Sequence, residues 1–309
     1  MVTDIIKDKI LNSGKNSEAQ IILPEVHDSR VINAKKELNR LGFNIVSIDD
    51  CRKNIDIYLD YISGLPFTKN WPADNLRLFL EDPINLGMAM VACDDADCLV
   101  AGAVTASSEI IRAAIRLVGI RPESNCVSSI FLMIDKNGNN ALTFGDCAVI
   151  PEPDSKQLAM IAAESAEFHY FLTGEEPAVA FLSFSTKGSS SHYRVDKVRN
   201  AVEIFAHKYP NIKHDGEIQF DAAIIPEVAK VKTPNSPLSG NANVFIFPNL
   251  DAGNIGYKIA QRLGSYSAWG PLLQGLNKPV HDLSRGCSVD DIVNVAAIAA
   301  LQRNMYANI

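Results

Sequence analysis

The chain is predicted to be an α/β protein built on an open parallel sheet, and three observations predict it. Residues 20–48 run apolar strand, amphipathic helix, apolar strand, the βαβ rhythm of a parallel sheet. Asp97-Cys98-Leu99-Val100-Ala101-Gly102 is a second buried strand, ending in a small-residue turn ahead of another helix. At 309 residues the chain is about twice the usual domain length, which favours two domains over one.

Each element has a local reason. Gln20-Ile21-Ile22-Leu23 is a short apolar strand that stops at Pro24. Asp28 caps a helix through Leu41, with Val31, Ile32, Ala34 and Leu38 on one face and Gly42 as its stop. Phe43 to Ile48 is the next strand. Residues 52–72 read as a helix followed by a loop, and helices follow over about 73–81 and 83–93. After the 97–102 strand come Thr105, Ser107 and Ser108, then a helix carrying Arg112. Ser128–Ile134 and Ala141–Val149 are strands joined by the hairpin-like turn Asp135-Lys136-Asn137-Gly138. Ser155 caps a helix to about Phe171. Val179–Ser183 is a strand leading into Ser185-Thr186-Lys187-Gly188-Ser189, and a helix spans about 194–208. Asn243–Phe247 is the last predicted strand. Gly253 and Gly256 sit in the first turn of a helix through Arg262, where glycine permits close backbone approach.

Composition narrows the function. The net charge of −7 argues against non-specific nucleic-acid binding, whose electrostatic footprint is basic. No apolar run approaches the ~20 residues of a membrane span. The N-terminal stretch mixes charges into an amphipathic pattern without a signal-peptide core, so a cytoplasmic enzyme is expected. The six cysteines include no C-x-x-C pair, and the six histidines show no ligand spacing. Neither a disulfide nor a metal is expected.

The chemistry concentrates in His281-Asp282-Leu283-Ser284-Arg285-Gly286-Cys287-Ser288-Val289-Asp290-Asp291-Ile292, a loop opening into an apolar helix over 292–305. Ser288 is an N-cap, and Asp291, three residues on, completes a capping box. A hydroxyl, a guanidinium and a glycine stand before the cap. The local pattern fits either an oxyanion site at a helix N-terminus or a well-capped helix with a solvated loop. The turn at Thr105, Ser107 and Ser108 offers backbone and side-chain donors to an anion, and Arg112 fits either that site or a solvent-facing place on an amphipathic helix. The S-T-K-G-S loop lacks the G-x-x-x-x-G-K-[ST] spacing of a nucleotide-triphosphate loop. Asp215, Glu217 and Asp221 read as loop and cap residues rather than cation ligands. Cys287 reads as a small buried residue, not a nucleophile.

DLSRGCSVDDI (282–292) also resembles the C-terminal signature of phosphate acetyltransferase (phosphotransacetylase). LSFSTKGS (182–189), DGEIQFDAAIIPEVA (215–229), NVFIFPNLDAGNIGYKIAQRLG (243–264) and GPLLQGLNKPV (270–280) are similar to the same family, in the same order. The match is to its short, single-unit form. The resemblance implies two α/β domains with a central cleft, an isocitrate/isopropylmalate dehydrogenase-like fold. Residues 1–122 plus 274–309 would form the first domain, and 123–273 an inserted second one. It implies acetyl transfer between acetyl phosphate and coenzyme A, with coenzyme A as a substrate, no cofactor, and a homodimeric assembly. By motif, Asp291, Ser284 and Arg285 fall on catalytic positions. Arg112 and Arg262 fall on substrate-binding positions, with Ser107 and Ser108 beside Arg112. Asp291 is the expected base for the coenzyme A thiol. The sequence departs from the family at Pro66, which stands where an arginine is usual, while Lys69 keeps one positive charge nearby. Other acyl chains, such as butyryl, and a catalytically weakened regulatory homologue are the alternatives. An NAD(P)-linked dehydrogenase is disfavoured because no G-x-G-x-x-G follows the first strand.

Overall fold

Short β-branched runs flanked by turn-forming residues make one sheet from distant parts of the sequence. The computed structural model describes residues 5–306 and divides into two units. One comprises Lys7–Val127 and the chain from Gly270 onward, and the other comprises Ser128–Trp269 with residues 5–6.

In the first unit, β1 (Gln20–Ile22), β2 (Asn44–Val46) and β3 (Cys98–Ala101) are joined by Val280–Asp282. The order is Val280–Asp282, β3, β1, β2, and every pairing is parallel. Ile21 lies opposite Ile45 on one side and Cys98 on the other, and Asp282 lies opposite Ala101. The helix Ser29–Leu41 starts where predicted: the Asp28 carboxylate accepts the Arg30 and Val31 amides, and Gly42, at φ +90°, ends it in the left-handed region. Its buried stripe is Val31, Ala34 and Leu38. The last helix, Val289–Tyr306, buries every residue from Ile292 to Ala300 and packs on β3 and on Ser29–Leu41. A helical segment buried on every face belongs inside a layer rather than on its surface. Because the strands are parallel, Pro24–Asp28, Gly102–Ala106 and Leu283–Ser288 all leave the same edge. The sheet order also reverses here, since β2 and β3 lie on opposite sides of β1. That crevice is where open α/β sheets place their ligands.

The second unit holds β4 (Ser128–Ile134), β5 (Ala141–Gly145), β6 (Ala178–Leu182), β7 (Lys213–Ile218), β8 (Val244–Ile246) and the start of β9 (Ser267–Gln274). The order is β7-β6-β8-β5-β4-β9, with β4 and β5 an antiparallel hairpin and β5, β8, β6 and β7 parallel. Phe131, Phe144 and Phe245 anchor the core on one face of the sheet, and Ile161, Phe181 and Phe205 on the other.

Several elements differ from expectation. Asp154, not Ser155, caps the helix Ser155–Thr173, in a capping box with Gln157; the Ser155 hydroxyl instead donates to the Lys197 carbonyl at 2.8 Å. Val280–Asp282, hereafter β10, is a strand within a stretch read as loop, and β9 was not predicted. The acidic segment opens in β7 and continues as a short helix, Phe220–Ile224. The carboxylates of the acidic segment each hold a cation. Asp215 pairs with Lys187, Glu217 with Arg199 at 2.9 Å, and Asp221 with Lys232 at 2.7 Å. Gly253 approaches the chain closely, since a Cβ there would lie 2.6 Å from the Asp146 carbonyl oxygen. Among the described residues no helix is long and apolar enough to cross a membrane.

Candidate functional site

The three loops leaving β1, β3 and β10 are tied to one another by charged side chains. Gly102, at φ +109°, starts the β3 loop, and a Cβ there would run into the Asp282 carboxyl and sit 2.7 Å from the Leu283 nitrogen. Only glycine lets the β3 and β10 loops approach this closely. The next backbone amides turn inward on Glu25. Its Oε2 accepts Gly102 and Ala103 at 2.9 and 2.8 Å, and its Oε1 accepts Val104 and Thr105 at 3.0 and 2.8 Å. Consecutive amides aimed at one point form an anion-binding concavity, here filled by the protein's own carboxylate.

Arg30, in the first turn of its helix, faces the other way. Its Nε and Nη2 form a fork on Asp28 at 3.0 and 2.9 Å. Nη2 also donates to the Ala103 carbonyl at 2.7 Å, and Nη1 to the carbonyls of Arg285 and Cys287 at 2.7 and 3.1 Å. The Arg30 guanidinium first, and backbone amides next, hold the Asp28 carboxyl down at about 2.

On the β10 loop, Ser284, Arg285 and Gly286 are exposed. The Ser284 carbonyl accepts the Cys287 amide at 2.9 Å, closing a tight turn. The Arg285 guanidinium has no hydrogen bond or ion pair within the described residues. Cys287 is buried, and burial pushes its thiol up to about 11. That favours the reading of Cys287 as a packed thiol rather than a thiolate nucleophile. Ser288 and Asp291 form the reciprocal cap: Asp291 Oδ2 accepts the Ser288 amide at 2.8 Å and its hydroxyl at 2.9 Å, and Ser288 Oγ accepts the Asp291 amide at 3.2 Å.

Ser107 opens the helix Ser107–Ala113 and hydrogen-bonds the Asp282 carboxyl, tying that helix to the end of β10. Ser107, Ser108 and Arg112 are exposed. The structure thus gathers Ser107, Ser284, Arg285 and Asp291 along one sheet edge, with Ser108 and Arg112 on the helix that Ser107 begins. Arg262 lies on the other unit, exposed near the end of the helix Leu250–Leu263. Pro66 starts a 3₁₀ turn, Pro66–Thr68, and Phe67 behind it packs edge-on against Trp71 and Phe79, with the Arg116 guanidinium 5.3 Å from its ring centre. An aromatic cluster therefore adjoins the departed arginine position, and Lys69 is exposed beside it.

Glu25, Arg30 and Asp282 carry this arrangement and were not singled out from sequence. The available signal was positional and covered Glu25 alone, which follows the predicted strand Gln20–Leu23; Asp282 ends a strand, β10, that the sequence does not announce. Burial pushes the Asp282 carboxyl up to about 6, with the Glu25 charge adding to the shift and the Ser107 and Leu283 bonds opposing it. A folded value above the unfolded value of about 3.9 makes stability fall as pH rises from about 4 to 6, by about 3 kcal/mol once the group is ionised. Asp282→Asn should remove that slope, so its melting temperature should gain on the parent across this window. A difference between the two proteins that stays constant from pH 4 to pH 7 would contradict the assignment. His281, next to Asp282, is no base for the site. Burial pushes it down to about 3, and its Nδ1 accepts the Leu273 amide at 3.1 Å. Five cysteines are free, and the Cys51 side chain lies outside the described part. Among the described residues no group of three His, Cys, Asp or Glu is placed to hold a metal.

Known proteins are similar to this chain in sequence and architecture. The pattern of the phosphate acetyl/butaryl transferase family matches residues 36–300. The chain is similar to a phosphate acetyltransferase from Thermoanaerobacterium thermosaccharolyticum, at 40% identity over 96% of this chain and 99% of that one. It is similar to a phosphate acetyltransferase from Staphylococcus aureus at 41% identity, over 97% of this chain and 98% of that one. A solved phosphotransacetylase from Streptococcus pyogenes aligns with a TM-score of 0.86 at 35% identity, over 96% of this chain and 99% of that one.

Proposed function

This chain belongs to the phosphate acetyl/butaryl transferase family, and we propose that it transfers an acetyl group reversibly between acetyl phosphate and coenzyme A. The observation that carries the reading is the exposed Ser284-Arg285 turn at the carboxyl end of β10, whose guanidinium has no partner among the described residues. An arginine fork held ready in this way suits a bidentate grip on a phosphate.

In the forward direction the coenzyme A sulfur attacks the carbonyl carbon of acetyl phosphate. The C–S bond forms, the C–O bond to phosphate breaks, and phosphate leaves. The thiol, with an ordinary value of about 8.5, gives its proton to Asp291. Asp291 Oδ2 is committed to the cap, and Oδ1, which no described residue engages, is the proton acceptor. The Ser284 hydroxyl donates to the carbonyl oxygen as it becomes an oxyanion, worth about 2.7–4 kcal/mol for such donors. Arg285 and Arg112 hold the phosphate. Ser107 and Ser108 add hydroxyl donors beside Arg112, and Arg262 keeps its proposed role as a substrate-binding cation. The buried, protonated Cys287 supports direct transfer in a ternary complex over an acetyl-enzyme. No cofactor takes part in this scheme. Two α/β units of isocitrate/isopropylmalate dehydrogenase type, cytoplasmic, complete the proposal. A homodimer is supported by the exposed Ile255, Ile259 and Leu263, which line one face of the helix Leu250–Leu263 and call for cover.

Comparing kcat/KM for acetyl phosphate and butyryl phosphate, with coenzyme A as acceptor, tests the acyl assignment. A pocket fitted to acetyl should disfavour butyryl at least about tenfold, the low end for one methylene in a fitted pocket. Preference for butyryl phosphate would reassign the chain within its family.

A further inference from the structure

The loops that carry the proposed substrate contacts do not hold themselves in place. The β10 loop turns its Arg285 and Cys287 carbonyls onto Arg30, and the β3 loop turns its Ala103 carbonyl onto the same guanidinium. On its amide face the β3 loop is gripped by Glu25 through all of residues 102–105. One guanidinium therefore spans two loops from adjacent strands, and one carboxylate sets the orientation of the nearer loop. Asp28 fixes Arg30 in turn, through a fork that only a planar guanidinium completes. A peptide whose carbonyl is drawn toward Arg30 has its amide facing away from it. The Val104 amide, paired with the Ala103 carbonyl, accordingly meets Glu25 on the opposite side.

The geometry points to Arg30 and Glu25 as positioning residues that lock the Gly102–Thr105 and Arg285–Cys287 loops together as one floor for the acyl phosphate. This rests on the proposed acetyl transfer, but it assigns neither residue a contact with substrate. Arg30 acts through the backbone of Arg285, and Glu25 acts through the segment that leads into Ser107. A catalytic group displaced by about 1 Å loses on the order of 10²-fold in rate, so loosening either tie should lower kcat, and loosening Arg30 should also weaken the hold on phosphate.

Arg30→Lys keeps the charge but cannot bridge three carbonyls and a carboxylate at once. It should lower kcat by at least about thirtyfold at a temperature where the variant is fully folded, and Glu25→Gln should lower it less. The deciding measurement is a double-mutant cycle with Arg285→Ala. If Arg30 acts through Arg285, Arg30→Lys should cost no more than about threefold once Arg285 is gone. If the two losses multiply, Arg30 is merely structural and the inference is overturned. Titration with inorganic phosphate supplies a readout independent of turnover: Arg30→Lys should weaken phosphate in the parent background and leave it unchanged with Arg285→Ala. A parent that binds phosphate without transferring acetyl would sink the proposed reaction and leave this cycle readable. A parent that does neither overturns both.

Discussion

Asp291→Asn is expected to lower turnover by about 10²–10⁴-fold while the Michaelis constants change little. Asparagine keeps the shape and still offers an oxygen to the Ser288 amide and hydroxyl, which the carboxylate now holds at 2.8 and 2.9 Å. Its loss of stability should therefore be no greater than that of Ser288→Ala, about 1 kcal/mol for a lost cap. Ser288→Ala is the control, since it breaks the cap and leaves Oδ1 of Asp291 untouched. The two variants are compared by thermal melts and by steady-state kinetics on each substrate. If Asp291→Asn melts like Ser288→Ala and keeps turnover within a few fold, Asp291 is only a cap and the thiolate must be stabilised by Arg285.

Glu217→Gln should destabilise the protein by about 3 kcal/mol. That is the low end for removing one partner of a buried ion pair, because Arg199 retains 36% of its side-chain exposure against 3% for Glu217. Glu217 takes bonds from Arg199 Nε at 2.9 Å and Nη2 at 3.1 Å, from the Gly188 amide at 2.8 Å and from the Ser185 hydroxyl at 2.9 Å. Burial pushes its carboxyl up; the Arg199 bond, then the amide and the hydroxyl, outweigh it and bring the group down to about 2. The folded value lies below the unfolded one, so this stability is present above about pH 4.5 and is lost as pH falls toward 2. Urea unfolding at neutral pH reads the effect as a lower midpoint at unchanged slope. A midpoint shift no larger than that of an ordinary surface substitution would remove Glu217 as the organiser of the Ser185–Ser189 loop.

What the sequence discloses follows the range of the interaction. The caps at Asp28, Gly42, Ser288 and Asp291 are made within a few residues, and each was readable before any fold was known. Asp154 was readable too: Gln157 stands three residues on and completes its box, whereas Leu158 stands in that place for Ser155. β10 was not, because Val280, His281 and Asp282, directly after Pro279, gain strand character only from β3, where Val280 lies opposite Leu99. The bracket around the site was hidden for the same reason. Arg30 reaches the Arg285 carbonyl across 255 residues, and Glu25 satisfies backbone amides that no side-chain pattern announces. Glu217 reads as one of several carboxylates in an acidic segment until the Ser185–Ser189 loop folds over it. The family motif points to Ser284, Arg285 and Asp291, and the structure sets them between the end of a strand and the first turn of a helix, at the carboxyl edge of the sheet.

The most direct measurement is a matrix of initial rates in which acetyl phosphate and coenzyme A are both varied and thioester formation is followed. Direct transfer predicts thioester and free phosphate in equal amounts and reciprocal plots that intersect. Parallel lines with a recoverable acetylated protein, or no thioester at any concentration, would contradict it.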